Sequence, residues 1–242
     1  MSTPDPHPIP HAAAVVVAAG SSSRMGLGQG ERKPFLQLAG RTVLEHACAA
    51  LVGARGVREL VIVAREEDLS RIEAMAGETA AFANLRAVVP GGAARTDSVR
   101  AGVAATSEAC ELVAVHDAAR PLLESEVVER ALTQAARKGA ALVAIPVSDT
   151  IKRSVEGRAA LETVDRSQLW AAQTPQVFGR ALLLELLERA AAEGYTPTDE
   201  AALHEHFVGP VPLVQGDATN IKLTTPDDLE IATALLEARA RR

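Results

Sequence analysis

Short apolar runs alternate with longer segments of helical periodicity along most of this chain, and that alternation restricts it to an α/β architecture with a mostly parallel sheet. Strand-like runs fall at 12–18, 57–64, 85–89, 112–116, 140–147 and 211–215, and helix-like segments at 41–52, 66–75, 95–106, 124–136, 179–192 and 226–240. Leu60-Val61-Ile62-Val63 is apolar at every position, as in a strand covered by helices on both faces. Ligands of such sheets bind beyond the carboxyl ends of the strands. The turn at 19–26 and the loops at 90–98 and 116–121 each follow a strand, so they should gather at one rim.

Composition narrows the function. Hydrophobic residues make up 48% of the 242, enough for a sizeable core, which excludes a disordered chain. Aromatic residues are 2% and the net charge is −6. A binder built on stacked rings is disfavoured, and so is bulk nucleic-acid binding. Cys48 and Cys110 sit in Ala-rich segments without the spacing of a zinc or redox motif, and read as buried thiols in a reducing compartment. His204 and His206, two positions apart, do not share a helix face, so no metal site is expected there. Residues 1–11, with Pro4, Pro6, Pro8 and Pro10, lack the basic start and apolar run of a signal peptide, and no apolar run is long enough to span a bilayer. The expectation is a flexible tail at 1–11, one domain over 12–242, and a cytoplasmic location without membrane contact.

The chemistry-bearing segments follow strands. Ala18-Ala19-Gly20-Ser21-Ser22-Ser23-Arg24-Met25-Gly26 leads to Lys33. Small residues let backbone N–H groups approach phosphate oxygens, and Arg24 and Lys33 add charge. The run is neither a Walker A loop nor a dinucleotide fingerprint; its plain alternative is a solvated turn. Gly91-Gly92-Ala93-Ala94-Arg95-Thr96-Asp97-Ser98 reads either as a close approach to a ligand or as a strand-to-helix turn capped by Thr96 or Ser98. In His116-Asp117-Ala118-Ala119-Arg120-Pro121, Asp117 suits a ribose hydroxyl or a metal-bound water, or else a local ion pair with Arg120, and His116 reads as a packed, hydrogen-bonded side chain. Residues 148–178 break the alternation and read as an excursion, with a hairpin arm at about 148–172 and the lone Trp170 as a candidate core anchor. Thr198-Asp199-Glu200 reads as a helix start, and Lys222 in isolation as a solvated lysine.

The order of these segments carries more than any one of them. The run from Ala18 to Lys33 resembles the signature of nucleotidyltransferases that activate sugars and polyols. His116 to Pro121, Asp149 to Arg153, Thr163 to Arg166, Thr174 to Gln176, Thr198 to Ala201 and Asn220 to Lys222 together resemble the 2-C-methyl-D-erythritol 4-phosphate cytidylyltransferase family, over roughly residues 12–240. The resemblance implies a Rossmann-like sheet, a homodimer joined by the β-arm, CTP and methylerythritol phosphate as substrates, and a divalent cation, usually Mg²⁺, held mainly by the CTP phosphates. It implies catalytic roles for Arg24, Lys33, Arg166 and Lys222. Ala18, Ala19, Gly20, Gly91, Ser98 and Ala118 would line the CTP pocket with Asp117, Arg120 would bind on the polyol side or orient its loop, and Thr150 and Thr174 would contact substrate. Arg166 and Thr150 would reach the partner subunit's site. The Arg24–Lys33 segment is longer than is usual in the family, with Gly28-Gln29-Gly30 as the extra material, so Arg32 stands as the alternate to Lys33. A ribitol 5-phosphate cytidylyltransferase and a non-catalytic nucleotide-sensing module are the competing readings. The sequence ends in a helix and Arg241-Arg242, so no fused cyclase domain of the kind some relatives carry is expected.

Overall fold

The computed structural model describes residues 10–20, 25–26, 28 and 31–241. The chain opens with β1 (Ala12–Val17), a small hairpin of β2 (Gln37–Leu38) and β3 (Arg41–Thr42), α1 (Val43–Val52), β4 (Val57–Ala64), α2 (Leu69–Ala76) and β5 (Leu85–Pro90). It continues through α3 (Arg95–Ala104), β6 (Leu112–Asp117), α4 (Ser125–Lys138) and β7 (Ala140–Pro146). There follow β8 (Ile151–Val155), β9 (Ala159–Val164), β10 (Trp170–Gly179), α5 (Arg180–Glu193), α6 (Glu200–Phe207), β11 (Leu213–Gln215) and α7 (Pro226–Ala240).

The main sheet has seven strands in the order β11-β7-β10-β6-β1-β4-β5. Its pairings are parallel except at β10, which runs antiparallel to both β6 and β7. Side chains alternate across β1. Ala12, Ala14 and Val16 pack with Leu44, Cys48 and Leu51 of α1, Ile72 of α2 and Val128 and Leu132 of α4, while Ala13 and Val15 face Val99 and Val103 of α3 and Leu183, Leu186 and Leu187 of α5. Each such leucine, wholly buried, contributes about 2 kcal/mol. Gly102 brings α3 close to the sheet: a Cβ at that position would meet Val15 Cγ1 and Val63 Cγ2.

Local signals explain where the elements begin. α1 starts at Val43 rather than 41 because Thr42 and Glu45 form a reciprocal cap, with Glu45 N donating to Thr42 Oγ1 and Thr42 N to Glu45 Oε2. Pro226 opens α7, and Asp228 accepts from the Thr224 and Thr225 N–H groups. The segment read as a helix over 66–75 begins with a 3₁₀ turn, Glu66–Asp68, before α2.

The largest departure from expectation lies at 148–178. The excursion is shorter, and its protruding part is the antiparallel β8–β9 hairpin, exposed along nearly its whole length. From Trp170 the chain re-enters the main sheet as β10, and Gln173, Thr174 and Gln176 are buried there. Trp170 is 40% exposed at the start of that strand and does not anchor the core. Both cysteines are free and buried, and burial pushes the Cys48 thiol far up. No helix among the described residues is long and apolar enough to cross a membrane.

Candidate active site

The chain passes from β1 through α1 to β4 on one side and later returns to place β6 on the other. The β1/β6 boundary is therefore the point where the strand order reverses, and the loops leaving these strands part to form a crevice. Val17 and Asp117 pair there at the strands' carboxyl ends. A cavity of about 670 Å³ opens at this place. Val17 to Gly20 and Asp117 to Ala119 line it together with Gly91 to Arg95 and Ser98, with Lys33 and Lys222 from flanking loops, and with Arg65, Glu66 and Glu67 after β4.

Asp117 organises the electrostatics. Its Oδ2 accepts from Lys222 Nζ at 2.6 Å and its Oδ1 from Arg95 Nη2 at 3.1 Å. Burial would raise the carboxyl pKa, but the two cations overcome it and hold the group well below the usual carboxylate range. Arg95 also forks onto Glu200, Nη1 to Oε1 at 2.5 Å and Nη2 to Oε2 at 3.1 Å. Lys33 Nζ donates to the Leu223 carbonyl at 2.7 Å, which ties it to the segment that carries Lys222. Arg32 is not part of the lining; it is taken by Glu67 at 2.7 Å and Asp68 at 3.0 Å. Lys33, rather than Arg32, thus faces the cavity.

A buried polar web sets the backbone beneath Asp117. Its N–H donates to Thr174 Oγ1 at 3.1 Å, and Thr174 Oγ1 lies 2.9 Å from His116 Nδ1. The Arg120 carbonyl, 3.1 Å from His116 Nε2, can only accept, so Nε2 carries the proton and Thr174 donates to Nδ1. Burial pushes the His116 pKa down to about 4, so the ring is neutral at pH 7. Arg120 donates to the carbonyls of Asn220 at 2.8 Å and Ala172 at 3.2 Å, and Asn220 Nδ2 to that of Thr174 at 3.1 Å. Three loops, from β6, β10 and the run before α7, are joined in this way.

Of the residues singled out in the sequence, Ala18, Ala19, Gly20, Lys33, Gly91, Ser98, Asp117, Ala118 and Lys222 line the cavity. Arg120 and Thr174 stand behind it and hold its loops. The alternative reading of a local Asp117–Arg120 ion pair does not hold, because the Arg120 guanidinium is taken by carbonyls and Asp117 turns to Arg95 and Lys222. Neither Thr96 nor Ser98 caps α3: the cap position is Ala94, while Ser98 Oγ accepts from Gly92 N at 3.1 Å. Thr150 and Arg166 sit on the exposed arm and do not line the cavity; Arg166 donates to the Ser148 carbonyl. Arg24 lies outside the described residues. Arg95, Arg65 and Glu200 carry no site role in the sequence reading. Arg95 was visible as the lone cation of its glycine-rich run, whereas Glu200 looked like an ordinary first-turn acid.

A mostly parallel α/β sheet with a lysine-flanked crevice at its reversal point is the architecture of a nucleotide-binding enzyme, here of the nucleotidyltransferase class. The sequence matches the 2-C-methyl-D-erythritol 4-phosphate cytidylyltransferase family over residues 12–238, and the chain belongs to that family. It is 41% identical to the 2-C-methyl-D-erythritol 4-phosphate cytidylyltransferase of Bacillus licheniformis over 94% of this chain and 96% of that protein. A bifunctional IspD/IspF enzyme of Anaeromyxobacter is 46% identical over 93% of this chain, which spans 57% of that longer protein. Among solved structures, the 4-diphosphocytidyl-2C-methyl-D-erythritol synthase of Anaerococcus prevotii superposes with a TM-score of 0.81 at 30% identity, over 95% of this chain and 97% of that one.

Proposed function

We propose that this chain transfers the cytidylyl group of CTP to 2-C-methyl-D-erythritol 4-phosphate, giving the CDP-polyol and pyrophosphate. The observation that carries the reading is the pair of lysines, Lys33 and Lys222, brought to one side of the β1/β6 crevice from opposite ends of the chain. The phosphate monoester of the polyol is already largely a dianion at neutral pH. One of its oxygens attacks the α-phosphorus, the bond to the β-phosphoryl oxygen breaks, and that electron pair leaves with pyrophosphate. No strong base is needed, so catalysis rests on alignment and on neutralising charge. Lys33, Lys222 and Arg24 supply cations for the phosphates, and the small side chains of Ala18, Ala19 and Gly91 leave room for the nucleotide.

The donor set fits a divalent cation shared with the substrate. Among the described residues no three His, Cys, Asp or Glu side chains converge as a self-sufficient metal cage. The cavity does offer Asp117, and Mg²⁺ characteristically takes one or two carboxylates plus substrate phosphates. When bound, the ion would neutralise phosphate charge beside Asp117.

The polyol side of the site is completed by a second copy of the chain in the cytoplasm. Arg166 and Thr150 are exposed on the arm and are not among the residues lining their own subunit's cavity. The hairpin presents Val155 and Leu161, each 62% exposed, with Trp170 at its base. Pyrophosphate release tests the reading. The protein should turn over CTP with methylerythritol phosphate and prefer it to ribitol 5-phosphate; nucleotide binding without pyrophosphate release would favour a sensing module instead.

A further inference from the structure

Glu200 is a carboxylate 2% exposed at the first residue of α6, 105 positions from the arginine it binds. Both of its oxygens accept from Arg95. A protonated acid would turn a donor toward a guanidinium that has no acceptor to offer, so this contact requires the ionised form. Burial, with Asp117 and Asp199 nearby, raises the carboxyl pKa overall, and Arg95 is what opposes that rise; the two-oxygen contact geometry is what assigns the charge. Arg95 Nη2 also reaches Asp117 Oδ1, so four charges stand in a row: Glu200, Arg95, Asp117, Lys222.

Docking α6 does not need this buried charge. Asp199 caps the helix through Ala202 N at 2.9 Å and accepts from Gln176 Nε2 at 2.9 Å, while Gln176 Oε1 accepts from Ala201 N at 2.8 Å. Those contacts fix the helix on β10. An apolar residue at position 200 would fill the space without the desolvation cost of a carboxylate. What the carboxylate adds is direction. A guanidinium fork prefers two oxygens of one partner; Glu200 supplies them, so Arg95 takes only one oxygen of Asp117.

We propose that Glu200 is a positioning residue that draws Arg95 toward α6, so that Asp117 keeps Oδ2 free of the guanidinium and turned to Lys222 and the phosphate side of the cavity. Without Glu200, Arg95 closes bidentately on Asp117 and neutralises it. The inference rests on the cytidylyl-transfer reading for its kinetic test.

The test is a double-mutant cycle of Glu200→Gln with Asp117→Asn, read in kcat, in the KM for CTP, in Mg·CTP affinity by calorimetry and in Tm. Glu200→Gln should lower kcat about tenfold while KM stays within about threefold, the pattern of a lost transition-state interaction. In the Asp117→Asn background the same change should cost less than about twofold, because the group it acts on is gone. Arg95→Lys cannot close bidentately on Asp117, so adding Glu200→Gln to it should likewise cost less than about twofold, and Glu200→Asp, which shortens the reach to Arg95 but keeps the carboxylate, should show the Glu200→Gln pattern if that variant fails to fold. Wild-type kcat in both Glu200→Gln and Glu200→Asp, or losses that simply multiply with those of Asp117→Asn or Arg95→Lys, would overturn the proposal. Absence of turnover in the wild-type protein would refute the function instead, and the coupling would still be read in Mg·CTP affinity.

Discussion

Lys222 Nζ sits 2.6 Å from Asp117 Oδ2 and joins the run before α7 to the end of β6 across the cavity. The lysine side chain is 42% exposed and the aspartate 13%, so the pair is a cation placed at the surface by a carboxylate held beneath it. Lys222→Ala should leave the fold intact, because Asp117 keeps Arg95 as a partner. Turnover should fall about a hundredfold or more, the usual cost of one electrostatic contact to a transferring phosphoryl group. Steady-state kinetics beside a melting curve separates the two effects, and a large drop in Tm with kcat preserved would mark the lysine as structural.

The proposed crossing of the arm between subunits makes a sharper demand. Lys33→Ala and Arg166→Ala homodimers should each be nearly inactive. If Arg166 serves the partner, a mixed dimer holds one site with both changes and one with neither. Co-refolding equal amounts should then restore about a quarter of wild-type activity. No recovery on mixing, with dimers shown by sedimentation, would place Arg166 in its own subunit's site or in none.

His116 predicts a specific acid limb of stability. Its pKa is depressed from 6.5 to about 4, chiefly by burial. Between those values the unfolded chain binds a proton that the folded chain refuses, so stability is full above about pH 6.5, declines as the pH falls, and stops declining from this group below about 4. The total is about 3 kcal/mol. Asp117 acts in the same direction lower on the scale: its carboxyl is depressed, so its contribution is present above the ordinary aspartate range and is lost as the pH falls beneath it. Denaturation midpoints from pH 7 to 4 should fall for the wild type, and His116→Gln should flatten that limb.

Two glycines can be told apart by what they touch. A Cβ at Gly102 would strike Val15 and Val63 in the core, so Gly102→Ala should cost about 1–3 kcal/mol in urea unfolding. A Cβ at Gly91 would lie 2.5 Å from Ala19 Cβ and 2.9 Å from Ser98 Oγ, inside the cavity wall. Gly91→Ala should therefore weaken CTP binding more than it lowers the urea midpoint. Equal affinity for CTP in the variant and the parent would remove Gly91 from the nucleotide pocket.

The strands β1, β4 and β6 were legible in the sequence because burial on two faces demands continuous apolar runs, and those runs also located the rim. β10 was hidden for the converse reason. Three of its buried positions, Gln173, Thr174 and Gln176, are polar and bond to Asp217, His116 and Ala201, so only the short run at Val177 and Phe178 marks the strand as apolar. α6 is only eight residues long and carries its charge inward at Glu200, against the usual pattern of a surface helix. The Arg95–Glu200 contact could not be read locally, since it joins residues far apart in the chain. Individual residue types did signal the cavity wall, where strand ends meet small residues and lysines. Arg120 could not be assigned locally: its nearest charged neighbour is Asp117, but the carbonyls of Asn220 and Ala172, far along the chain, take its guanidinium.

The central claim is that the β1/β6 crevice binds CTP with its phosphates at Lys33 and Lys222. A crystal structure of the protein with CTP and Mg²⁺ tests it most directly. Both lysine Nζ atoms should lie within hydrogen-bond distance of phosphate oxygens, with the nucleoside against Gly91 and Ser98. A triphosphate bound elsewhere, or one whose phosphate oxygens lie out of hydrogen-bond reach of Lys33 and Lys222 Nζ, would contradict it.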